Sequence, residues 1–112
     1  MTDSELTLDF ATSALRDMER LRTFLAAQQD PLAADFLPFM LDAIHVLLLQ
    51  PGIGRPVVAG RFRELIVERG HSGYLVRYHY SRTRQHVAIL RIRHQRECGY
   101  LEAEAADEND DF

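Results

Sequence analysis

The sequence predicts an α+β domain of element order β-α-α-β-β-β, a helical hairpin packed on one face of a mainly antiparallel four-stranded sheet. Three observations carry that expectation. Leu6, Leu8 and Phe10 alternate with Thr7 and Asp9, the period of a half-buried strand. Two segments of helical period follow, and three strand-like runs come last. The 112 residues, 46% of them hydrophobic, leave room for one core and no second domain. Residues 1–100 are expected to form that domain, and residues 101–112 an acidic, disordered tail.

Thr12 or Ser13 can cap the first helix, which is expected to run to about Gln29. Leu15, Met18, Leu21 and Leu25 form its apolar stripe, while Arg16, Asp17, Glu19, Arg20 and Arg22 are expected to face water. Asp30-Pro31 is a second start signal, an acidic cap followed by proline at the first helical position. The helix it opens is read to about Leu49, with Leu32, Phe36, Met40, Ile44 and Leu47 or Leu48 inward. Pro38 removes a backbone bond inside it, which predicts a kink or a late start. A turn of two or three residues between the helices makes them an antiparallel hairpin.

Gln50 to Pro56 stops the second helix and reads as an irregular loop. Strand-like runs then span 62–68, 73–80 and 86–94, with Ser81 to Gln85 as a hairpin loop between the last two. Alternation puts Tyr74, Val76, Tyr78 and Tyr80 on one face, and Leu75, Arg77 and His79 on the other. On the last strand it puts Arg91 and Arg93 with Val87 and Ile89, opposite Leu90, Ile92 and His94. At least one sheet face is therefore expected to mix aromatics with arginine, as a nucleic-acid or peptide groove does. The tyrosines read alternatively as core residues with hydroxyls at the rim.

Charge is sorted along the chain. Residues 1–54 hold 3 arginines and 8 acids, residues 55–100 hold 10 arginines and 3 acids, and residues 101–112 hold 6 acids and no base. All 13 cationic side chains are arginine. Arginine binds carboxylate or phosphate through a fork and is poorly suited to proton transfer, so this usage favours recognition over acid–base catalysis. Cys98 is the only cysteine, which excludes an internal disulfide and fits a reducing cytoplasm. No charged leader and apolar signal segment opens the chain. The most apolar stretch, Ala43 to Leu49, is interrupted by His45 and far shorter than the roughly 20 residues of a membrane span.

Catalytic motifs are sparse. His71, His79, His86 and His94 lack the tight spacing of a zinc site, so no metal is expected. Pro51-Gly52-Ile53-Gly54 lacks the lysine and length of a phosphate loop, and no nucleophile–base pair stands out.

The run from Phe10 to Arg96 resembles the ParE/RelE superfamily of toxins from bacterial toxin–antitoxin modules. The resemblance rests on Ala14 to Leu21, Pro51-Gly52-Ile53-Gly54-Arg55-Pro56, Arg63-Glu64-Leu65, Tyr74 to Tyr78, and Ile89 to Glu97, in family order over about four-fifths of the chain. The Pro-Gly-x-Gly-Arg-Pro loop and the His-Gln-Arg-Glu ending look more like the ParE branch. That branch implies a cytoplasmic inhibitor of DNA gyrase with no catalytic reaction, no cofactor, and a cognate ParD-like or related antitoxin as partner. The residues expected to bind target or antitoxin are Arg63, Arg77, Tyr78, Arg91, Arg93 and Arg96. The RelE branch implies instead a ribosome-dependent mRNA endonuclease. Arg96 and Tyr100 resemble its C-terminal pair, but its lysines have no counterpart and Leu75 stands where it often has arginine. A nuclease would rely on His94, Arg96 and Tyr100, with His94 beside Glu64 or Glu68 as a variant seen in some relatives.

Overall fold

Leu8 and Phe10 turn inward as their alternation requires, on the strand β1 (Thr7–Phe10), and Leu6 just ahead of it packs on the same core. The computed structural model describes residues 5–97; the tail 101–112, Cys98 and Tyr100 lie outside them, with the expectations attached to them. Among the described residues five strands form one sheet in the order β1-β5-β4-β3-β2, with β2 at Arg55–Val57, β3 at Phe62–Arg69, β4 at Ser72–Ser81 and β5 at His86–His94. Only β1 runs parallel to its neighbour, β5; the other pairings are antiparallel. Two helices, α1 (Thr12–Ala27) and α2 (Phe36–Ile44), pack on this sheet and complete an α+β domain.

The strand count corrects the expected four. β2 has three residues and includes Pro56, too short for any period to show. A proline is tolerated there because β2 is an edge strand, where a missing N–H costs little.

α1 opens without the expected side-chain cap. Its N-cap is Ala11, and Ser13 lies inside the helix, donating its hydroxyl to the Leu90 carbonyl at 2.7 Å. The buried stripe is Ala14, Met18 and Leu21, whereas Leu15 is 53% exposed. Asp17, expected in water, is fully buried. One cause explains all three corrections. β1 covers the edge of β5 only as far as Ile89. Beyond that point α1 supplies the missing ladder partners. Ala11 N–H donates to Ile89 O at 2.8 Å, Ser13 Oγ–H to Leu90 O, and Ile92 N–H donates to Asp17 Oδ2 at 2.8 Å. Buried backbone groups must be paired, so the helix turns Ser13 and Asp17 inward and Leu15 out.

α1 ends in a Schellman pattern, with Asp30 N–H bonded to Leu25 O and Gln29 N–H to Ala26 O, and Gln29 at φ 57° where glycine is usual. Asp30 then accepts from Leu32 N–H at 2.9 Å and starts a 3₁₀ turn, Pro31–Ala33. The second helix thus takes the late start that Pro38 predicted. Pro38 sits in the first turn of α2, where no intrahelical N–H bond is lost. A second 3₁₀ turn, His45–Leu48, replaces the expected continuation to Leu49. Phe36, Met40, Ile44 and Leu47 are fully buried, as expected, but Leu32 is 41% exposed. With Met18, Leu21, Val76, Ile89 and Ile92 they make the main core, each large side chain stabilising by about 1.5–3 kcal/mol.

β5 breaks its own alternation. Arg77 pairs with Arg91 but Tyr78 pairs with Ile89, leaving Leu90 as the extra residue of a bulge. Ile89 and Ile92 therefore both face the helices, while Ala88 and Leu90 join Ala11 and Phe62 in a smaller cluster. The expected grouping of Arg91 and Arg93 with Val87 and Ile89 is thus reversed. The tyrosines do not share a face with the arginines, and the aromatic ring found against arginine on the opposite face is Phe62, under Arg61 and Arg77. Tyr74 and Tyr78 are in the core on the helix side, the alternative reading of the tyrosines, and the register puts Arg77, Arg91 and Arg93 on the other side.

The β2–β3 turn is strained. Val58, Ala59 and Gly60 all have positive φ, at 53°, 55° and 85°. For a β-branched residue this is an outlier, and the left-handed conformation costs about 1–2 kcal/mol per non-glycine residue. Ala59→Gly should therefore raise stability by about 0.5–1 kcal/mol, after allowing for the greater unfolded-state entropy of glycine. A higher urea midpoint would show it; a lower one would mean that Ala59 makes contacts that outweigh the strain.

Candidate partner-binding site

The C-terminal half of α1 and the ends of β4 and β5 enclose a groove of about 690 Å³. Leu21, Phe24, Leu25 and Tyr74 form its apolar walls, and Arg20, His94, Arg96 and Glu97 its polar rim. Phe24 lies off the buried stripe of α1 and is 60% exposed, an aromatic ring left at the mouth of an apolar channel.

The rim is built by the turn after β5. Gln95 N–H donates to Gly73 O at 2.8 Å and Glu97 N–H to His94 O at 3.0 Å, folding the chain back. A Cβ at Gly73 would meet the end of the exposed Gln95 side chain, which would have to swing aside. The Glu97 carboxylate accepts from His94 N–H at 2.9 Å and from the Arg20 guanidinium. Burial works against the Arg20 charge, but the bonds and charges of Glu97 and Asp17 outweigh it and raise its pKa above the ordinary value. Arg93 donates to the Glu97 carbonyl at 2.8 Å.

His94 stands edge-on to Tyr74, ring centroids 5.2 Å apart, and its Nδ1 accepts from Arg96 N–H at 3.0 Å. Burial pushes the Tyr74 phenol up, with Arg69 opposing and Asp30 adding to the shift. That phenol stays protonated near neutral pH and cannot serve there as a base.

A second constellation lies around the loop before β2. The Tyr78 hydroxyl donates to Pro51 O at 2.7 Å and accepts from Gly54 N–H at 2.8 Å, and Arg63 donates to Gly52 O and Gly54 O at 3.1 and 2.7 Å. A Cβ at Gly54 would lie 2.7 Å from the Tyr78 ring and 2.9 Å from the Glu64 carbonyl. The Pro-Gly-x-Gly-Arg-Pro run is thus a clamped loop. Burial also raises the Tyr78 pKa, against the Gly54 bond and Arg63. Tyr78→Phe strands the Gly54 N–H and the Pro51 carbonyl, and should cost about 1–3 kcal/mol, read as a lower urea midpoint; an unchanged midpoint would show that the loop is held without the hydroxyl.

The expected binding residues therefore divide. Arg91 is fully buried, with its Nε 2.8 Å from Asp17 Oδ2, so it holds α1 to the sheet and offers no binding surface. Tyr78 is likewise fully buried. Arg63 is committed to the loop, and Arg77 reaches Glu64 at 3.4 Å, the buried carboxylate it shares with Arg55. Arg93 is partly exposed behind the turn, and Arg96 is exposed on the groove. Of the nuclease set, His94 and Arg96 come together there, whereas Glu64 is held by Arg55 and Arg77 elsewhere on the sheet. Residue-by-residue reading of charge missed the α1 wall; its one signal was Phe24, apolar but a step off the stripe. Among the described residues no group of three or more His, Cys, Asp or Glu is gathered to hold a metal ion. Among them, too, no helix is long and apolar enough to cross a membrane.

Compared with known families, residues 8–98 match the model of the ParE toxin of type II toxin-antitoxin system, parDE. That span runs from within β1 past the turn that closes the groove. No curated protein matches the chain.

Proposed function

This chain belongs to the ParE toxin family of type II toxin–antitoxin systems, and from that premise we propose that it inhibits DNA gyrase by binding it, performs no reaction of its own, and is neutralised by a cognate antitoxin seated in the α1 groove. The observation that carries binding over cleavage is the state of His94. Its Nδ1 already accepts from Arg96 N–H, and the neighbouring Glu97 carboxylate is engaged by Arg20 and by the His94 backbone. With Nδ1 accepting, the neutral ring carries its proton on Nε2, which can donate but has no lone pair free to take a proton, and a general base needs one. The groove suits a partner helix or extended segment, with Phe24 and Leu25 to take an apolar stripe and Arg20 and Arg96 to take acids. Gyrase as target places the toxin in the cytoplasm.

His94 and Arg96 do share the groove, and this favours the second reading, a ribosome-dependent mRNA endonuclease of the RelE type.

The toxin should slow growth when expressed alone and be rescued by co-expression of a small neighbouring antitoxin. Immobilised full-length protein should retain purified gyrase, and antitoxin added first should block retention. Harmless expression, with neither gyrase nor a neighbour-encoded protein retained, would count against both halves of the proposal.

A further inference from the structure

Two hairpin turns leave the same end of the sheet. The register pairs Val57 with Phe62, Arg63 with Tyr78 and Ser81 with His86. The β2–β3 turn (58–61) and the β4–β5 turn (82–85) therefore project side by side, about 10 Å apart at two strand spacings. Between them they carry Arg61, Arg82 and Arg84, all exposed, and no acidic residue. Among the described residues none of these three guanidinium groups is paired with a carboxylate. Nearby acids are committed: Glu64 to Arg55 and Arg77, and Asp9 to His86. Glu5, two residues before Thr7, whose N–H donates to Gln85 O, stands beside the β4–β5 turn, and among the described residues no ion pair joins it to these arginines.

Both turns are braced by hydrogen bonds. Arg84 N–H donates to Ser81 Oγ at 3.1 Å and the Gln85 amide to Arg82 O at 2.9 Å. Gly60 N–H donates to Val57 O and Arg61 N–H to Val58 O, across the strained left-handed segment. Strain of this kind persists where the surrounding structure enforces it, and it gathers at functional positions. Arg61 lies over the Phe62 ring, 5.0 Å from its centroid, which restricts the guanidinium.

We propose that these paired turns bind the phosphate backbone of a nucleic acid, with Arg61, Arg82 and Arg84 as phosphate ligands and the Thr83 hydroxyl as an added donor. Forked arginines with a hydroxyl are the usual phosphate contacts of such interfaces. A protein partner would need a buried apolar or aromatic anchor, and the turns expose only Val58 and Ala59 as apolar residues. The site is separate from the α1 groove and stands independently of the gyrase reading.

Fluorescence anisotropy of the purified full-length protein with a short labelled DNA duplex, and with a single-stranded RNA of equal length, tests this without gyrase present. Three phosphate contacts should weaken binding to duplex about 40-fold between roughly 50 and 200 mM salt. Arg61→Ala, Arg82→Ala and Arg84→Ala together should remove most of that affinity and flatten the salt dependence, with the melting curve unchanged. Arg16→Ala, at an exposed position on α1, should leave binding intact. Tighter binding of duplex or of RNA identifies the source of the phosphates, and either supports the site. No salt-dependent binding, binding untouched by the triple substitution, or equal displacement by polyglutamate would overturn it, the last in favour of an acidic protein.

Discussion

Asp17→Ala should destabilise the domain by about 3–5 kcal/mol, the cost of breaking a buried ion pair by removing its carboxylate. Its two oxygens accept from Arg91 Nε at 2.8 Å, Arg91 Nη2 at 3.2 Å and Ile92 N–H at 2.8 Å, while Arg20 approaches at 3.5 Å. Alanine removes every one of these at once. A buried guanidinium and a buried N–H on β5 then lose a partner just where the bulge has already disturbed the ladder. Against a typical total of about 5–15 kcal/mol, much of the protein would be unfolded at physiological temperature. Asp17→Leu with Arg91→Met should recover only part of the loss, since an apolar pair can replace the buried ion pair but the Ile92 N–H stays without its acceptor. Urea denaturation of the single and double variants checks both statements. A single-variant loss below about 1 kcal/mol would mean that another acceptor satisfies Arg91, and that α1 is not held by this contact.

Phe24→Glu should have the largest effect on function while sparing the fold. The ring is 60% exposed, so its replacement empties no core space. If the antitoxin seats in the groove, its apolar face must meet Phe24. Aromatic anchors of this sort are typically worth about 2–4 kcal/mol, or roughly 30- to 1,000-fold in affinity. Cells expressing the variant should stay growth-arrested even with antitoxin co-expressed, and titration calorimetry should show the weakened complex. Full rescue with unchanged affinity would move the antitoxin to another surface.

The strands and the helical core were legible because their periods are local. Leu8 and Phe10, Met40 and Ile44, and Tyr74, Val76 and Tyr78 face the core as spacing alone requires. The failures share a different cause. Asp17 and Arg91 look like solvated charges in sequence, because only the shortness of β1 and the bulge at Leu90 bring them together across 74 residues. β2 carries no period at three residues with a proline. The groove was hidden because its walls come from α1, β4 and the turn after β5, and charge counting pointed to the arginines instead. Several of those, Arg63, Arg77 and Arg91 among them, hold the fold together.

Supercoiling by purified gyrase, with purified full-length toxin added and cleavage of ribosome-bound mRNA followed in parallel, distinguishes inhibitor from enzyme most directly. Supercoiling should stall, the mRNA should remain intact, and His94→Ala should leave the inhibition in place. Codon-dependent cuts in the mRNA that fall about 10²–10⁴-fold with His94→Ala, as loss of a general acid–base group would require, while gyrase continues to supercoil DNA, would contradict the gyrase assignment and establish the endonuclease.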